Sequence, residues 1–195
     1  MIATAIPAGF AAGLFGIGGG LVTVPILFYI FSFSGIETAY VMHLAVGTSF
    51  GIIIPTSTVS VLTHHQHKAV DFNIVKGFGF FVATGVILGT IFAASLETKP
   101  LILFFTIIVY ILAFYLLFLK EKETNIEIKI GLISKAISGI VSGFISAPMG
   151  IGGAVMNVPI LKFFGYPINK AIGSAAAIGF ILSLIHISEP TRPRL

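Results

Sequence analysis

The chain has 195 residues, of which 56% are hydrophobic and 9% charged, with a mean hydropathy of +1.08. A soluble domain of this length cannot hide so much apolar surface in one core, so the composition specifies an integral membrane protein. The formal charge of +4 is spread over short connections and forms no basic face, which argues against nucleic acid as a partner. The lack of Cys excludes disulfides, thiolate metal sites and cysteine nucleophiles.

The N-terminus lacks the positive segment of a signal peptide, so it is expected to be retained as part of the fold. The first apolar run covers residues 2–33. As one straight helix it would measure roughly 48 Å, against a hydrocarbon core of about 30 Å. Within it lies Gly16-Ile17-Gly18-Gly19-Gly20-Leu21-Val22-Thr23-Val24-Pro25-Ile26-Leu27, in which a glycine cluster followed by proline interrupts the helix. The two pieces form either a re-entrant hairpin or a kinked single crossing.

Runs over residues 38–63, 72–96 and 101–119 follow. They are long and do not alternate, so they read as helices; barrel strands would be about 10 residues with every second side chain polar. The polar stretch 120–130 interleaves Lys120, Lys122 and Lys129 with Glu121, Glu123 and Glu127 and reads as a linker. Beyond it, the run 130–165 is again too long for one crossing. It carries the same string as Gly150-Ile151-Gly152-Gly153-Ala154-Val155-Met156-Asn157-Val158-Pro159-Ile160-Leu161, identical at eight of twelve positions. A second matched element sets Ala45-Val46-Gly47-Thr48-Ser49 against Ala171-Ile172-Gly173-Ser174-Ala175.

The chain is therefore an internal duplication. Lysines mark the connections 64–76, 120–135 and 163–169 as cytoplasmic, because cytoplasmic loops carry the excess of Lys and Arg. That placement favours the hairpin, gives each copy an odd number of crossings, and predicts an all-α polytopic fold of two inverted repeats. The expected organisation is a first repeat at 1–119, a cytoplasmic linker at 120–130 and an incomplete second repeat at 131–181. Residues 182–195 resemble a translated sequencing-library adapter and are expected to be foreign. By repeat symmetry about two more membrane helices would follow residue 181.

Gly18, Gly19 and Gly20 let a ligand approach main-chain N–H groups, and the helix starting near Leu21 turns its positive end toward the break. Gly152 and Gly153 repeat the arrangement. Such a terminus is an anion site built from backbone. Gly16, Pro25, Gly150 and Pro159 define the breaks structurally. The matched polar residues Thr23 and Asn157, with Thr48, Ser49 and Ser174 from the second element, are the candidate side-chain donors. Small residues also serve plain helix packing in lipid, which competes with this reading most strongly for the second element.

No Asp, Glu, Lys or Arg lies deep in an apolar run, so no buried proton relay is visible; His43 reads as a packing residue near the membrane surface. His64-His65-Gln66-His67, with Asp71 nearby, lacks the i, i+4 spacing of a rigid metal site and reads as a solvated loop. No cofactor is expected.

Two copies of G-x-G-G-[GA]-x-x-x-V-P-I-L in an all-helical membrane chain resemble the sulfite exporter TauE/SafE family, also called the 4-toluene sulfonate uptake permease family. The resemblance covers residues 1–181. It implies a multi-pass plasma-membrane transporter of bacteria or archaea, moving small anions such as sulfite, sulfoacetate or sulfonates. The family's glycine motifs fall on residues 16–20 and 150–153 and its prolines on Pro25 and Pro159. The competing readings are an anion channel, a membrane metalloenzyme built on His64, His65, His67 and Asp71, and a structural subunit with no ligand. The expected partners are a small anion and the lipid bilayer, with homodimer assembly left open.

Overall fold

A computed structural model describes residues 19–118 and 131–188. Gly16, Gly18 and the linker at 120–130 lie outside the described residues. Among the described residues seven helices follow in order: α1 Gly20–Phe33, α2 Val41–Gln66, α3 Phe72–Ser95, α4 Thr98–Phe118, α5 Leu132–Met149, α6 Ala154–Phe163 and α7 Ile168–Ser188. No strand occurs among the described residues. Helices α2, α3, α4, α5 and α7 are long and apolar enough to cross a membrane, whereas α1 and α6 are shorter apolar helices. The chain is an all-α, multi-pass membrane protein.

Local sequence sets the helix ends. Asp71 caps α3 by accepting the Asn73 N–H at 2.9 Å. The two helices that begin within the repeated string end alike, with Gly35 after α1 and Gly165 after α6 both at positive φ, a conformation that glycine reaches without Cβ strain. The long apolar run at 130–165 is divided at Gly150–Gly153 into α5, about 27 Å long, and α6, about 15 Å. The break in this copy is real and unequal, since α5 alone is long enough to cross.

Contacts fix the directions of the helices. Along α2 and α7, Phe50 stacks on His186, while His64 and His67 line one cavity with Asn169 and Ile172; these two helices, equivalent in the duplication, run antiparallel. Helix α7 runs parallel to α3, with Asp71 meeting Ser174 and Gly79 meeting Ile178. Helices α3 and α5 are also parallel. A Cβ on Gly89 would fall 2.9 Å from the Phe144 Cα, and one on Gly143 would fall 2.8 Å from the Val86 nitrogen. Small residues bring these two backbones together, the packing that lipid favours in the absence of a hydrophobic drive between helices. After the break, α6 reaches the start of α7 through four residues, and Gly179 and Leu182 of α7 pack back on Gly152 and Gly153. The chain thus goes in along α5, turns at the glycines and comes back along α6.

Among the described residues two buried clusters result. One joins the inner faces of α3 and α7 through Val82, Val86, Ala175 and Ile178. The other gathers Val24 of α1, Val46 and Phe50 of α2, Met149 at the end of α5 and Ile151 just beyond it. Helix α7 continues through Leu182 to Ser188, so the first residues of the expected foreign tail extend this helix.

Candidate functional site

Gly150 and Gly153 both adopt positive φ, +63° and +74°, and between them the chain leaves α5 and enters α6. A side chain at either position would be strained whatever the space around it. Residues 150–153 are all buried. The first copy of the motif lies directly against them. A Cβ on Gly20 would sit 2.6 Å from the Ile151 Cα, and one on Gly150 would sit 2.8 Å from a Val24 methyl. The two copies therefore meet backbone to backbone inside the protein.

A chain of hydroxyls ties them. Ser49 Oγ donates to the Gly150 carbonyl at 2.8 Å and lies 3.0 Å from Thr23 Oγ1, which in turn donates to the Gly19 carbonyl at 2.9 Å. Thr23 and Ser49, read from the sequence as ligand donors, are here occupied in bridging the motifs.

The unused donors sit at the start of α6. The first amides bonded back to the break are those of Met156 and Asn157, both donating to the Gly153 carbonyl. The N–H groups of Gly152, Gly153, Ala154 and Val155 donate to no protein acceptor among the described residues, and no side chain caps Gly153. Asn157 lies over the same terminus, fully buried. Its Oδ1 accepts from Ser142 Oγ at 2.5 Å, its Nδ2 has no partner, and a Cβ on Gly153 would fall 2.8 Å from that nitrogen. One turn before the break, Ser146 Oγ is also fully buried and unpartnered. Buried donors left unpaired cost about 1 to 3 kcal/mol each, so their accumulation at one turn is significant.

The prolines lie in the second turns of α1 and α6. Lacking an N–H, Pro25 and Pro159 leave the Leu21 and Val155 carbonyls without their usual intrahelical donors.

Other predicted residues are not brought to the break. Thr48 is exposed, about 100° around α2 from the buried Ser49. Ser174 is buried, but its Oγ accepts the Asp71 N–H at 3.0 Å, which fixes the connection between α2 and α3 to α7. Asp71 also pairs with Lys170 at 3.6 Å. His64 and His67 line a cavity of about 360 Å³, and among the described residues no group of three or more His, Cys, Asp or Glu is placed to hold a metal. His43 Nε2 lies 3.2 Å from the Ala93 carbonyl. A larger cavity of about 650 Å³ runs along the other side of α6, walled by apolar residues including Val155, Met156 and Pro159. Ser142 and Ser146 were missed in the sequence; their spacing of four before Gly150 is the signal that could have found them.

The model of the sulfite exporter TauE/SafE family matches residues 1–188. This chain belongs to that family. Among its relatives, a protein of Haemophilus influenzae named a probable membrane transporter protein is 34% identical over 178 residues, 91% of this chain and 67% of its own length. Another so named, from Methanocaldococcus jannaschii, is 28% identical over 180 residues, 89% of this chain and 64% of its own length. A third, from Bacillus subtilis, is 27% identical over 206 residues, covering 94% and 74%. The chain thus spans about two thirds of the length of the first two. No solved structure matches it. Membership of the TauE/SafE family, with these relatives all named probable membrane transporter proteins, sets the enzyme alternative aside.

Proposed function

We propose that this chain forms part of a carrier for small anions, sulfite or organosulfonates among them, and that the anion sits at the N-terminus of α6. The observation carrying this reading is the set of donors there that have no partner among the described residues: the main-chain amides of the buried Gly152, Gly153 and Val155 and of the half-buried Ala154, and the fully buried Asn157 Nδ2. A helix N-terminus with free amides attracts negative charge, and the Asn157 amide adds a donor aimed at the same place. An anion channel would keep an open path through the bilayer, whereas residues 150–153 are enclosed, which favours a carrier that exposes the site alternately. The antiparallel course of α2 and α7 supports inverted repeats, the arrangement from which alternating access follows.

Asn157→Leu is expected to weaken binding of a test anion by about tenfold or more, while Thr48→Ala, at an exposed position away from the break, leaves it unchanged. Isothermal titration of the purified chain with methanesulfonate measures both. Equal affinity in the Asn157 variant and the parent would reject the site.

The topology is tested separately, since the chain has no native Cys. His65→Cys and Asn169→Cys, both exposed, are expected to react with an impermeant maleimide from the cytoplasmic face and Ser34→Cys from the opposite face. Labelling of positions 65 and 169 from different faces would contradict the arrangement.

A further inference from the structure

We infer that the site at the break selects singly charged anions and rejects dianions. This rests on the reading of α6 as the anion site and adds the charge class of its ligand.

Among the described residues, every donor facing the break is neutral: the amides of Gly152, Gly153, Ala154 and Val155, Asn157 Nδ2, and the Ser146 hydroxyl one turn away. No Lys or Arg is buried among the described residues. Lys162 lies about 13 Å farther along α6, and Lys135 about 21 Å back along α5. The positive potential therefore comes from oriented dipoles: the α6 terminus contributes the equivalent of about half an elementary charge, opposed by the C-terminal end of α5, whose Ser146 and Ala147 carbonyls are already bonded by the Ile151 and Gly150 amides.

Attraction between a fixed dipole field and an ion grows in proportion to the ion's charge. The cost of taking the ion out of water grows with the square of that charge. Passing from a monoanion to a dianion doubles the first and quadruples the second. A buried, cation-free cradle can thus offset the dehydration of a sulfonate, a hydrogen sulfite or a monocarboxylate and still leave sulfate or the sulfite dianion in water. The Asn157 orientation strengthens the choice. With Oδ1 held by Ser142, the amide presents its NH₂ to the break, so the side chain adds a donor and no negative oxygen.

The test uses the full chain purified in detergent, with methanesulfonate and sulfate titrated at equal ionic strength in a zwitterionic buffer, and thermal unfolding as the readout. Asn157→Leu, and Ser146→Ala should the first variant misfold, subtract the general stabilising effect of sulfate on protein surfaces. After subtraction, methanesulfonate is expected to bind at least about tenfold more tightly than sulfate. Equal site-dependent stabilisation by both anions would overturn the charge selection while leaving the site in place. Stabilisation by neither, or stabilisation that survives in both variants, would overturn the site itself.

Discussion

Gly20→Ala is expected to drive the two glycine motifs apart and to destabilise the fold by more than about 3 kcal/mol. The added methyl would lie 2.6 Å from the Ile151 Cα and closer still to the Gly150 carbonyl oxygen, so backbone must yield, not a flexible side chain. Its displacement would also break the Ser49 bond to Gly150 and part Val24 from Met149 and Ile151. Gly47→Ala provides the control. Nothing lies within 4 Å of a Cβ there, and Ala favours a helix over Gly by up to about 1 kcal/mol. Equilibrium unfolding in mixed detergent micelles compares them. A Gly20 variant as stable as the Gly47 variant would show that the close approach of the two motifs does not hold the protein together.

The second large effect is expected from Asn157→Asp, which changes charge at nearly constant shape. A carboxylate over the α6 terminus would accept the amide donors that are otherwise unpaired, and so occupy the place assigned to the anion. The variant should therefore be at least as stable as the parent while its affinity for methanesulfonate falls more than about a hundredfold, since two like charges a few ångströms apart in a low dielectric repel strongly. If instead those amides were satisfied and the break served packing alone, the same change would bury an uncompensated carboxylate, destabilise the protein by several kcal/mol and leave no methanesulfonate affinity to lose. Unfolding and titration on one variant separate the two outcomes by sign.

Much of this architecture was legible in the chain. The apolar runs gave the membrane helices because partition into lipid depends on each segment's own side chains. The run at 130–165 could not cross as one helix, and its glycines marked where it divides. The repeated string identified equivalent helices before their directions were known. The site was less legible. Thr48 and Ser49 are neighbours in the sequence, yet one is exposed and the other bonded to Gly150. Ser174 matches Thr48 in the duplication but serves the Asp71 turn instead. Ser142 and Ser146 carry only their spacing of four before Gly150 and are Ala8 and Ala12 in the first copy, so the repeat does not mark them, although the first orients Asn157 and the second is an unpaired donor beside the break.

Composition, hydropathy and the duplicated glycine string determined by themselves that this is a helical membrane protein whose apolar run at 130–165 is broken at its glycines. These follow from the free energy of single segments in lipid and from the backbone freedom of glycine. Only the tertiary structure decided which polar atoms face the break. That depends on the rotation of each helix about its axis, fixed by close approaches such as Gly20 on Ile151 and Gly143 on Val86, and therefore by pairs of distant residues.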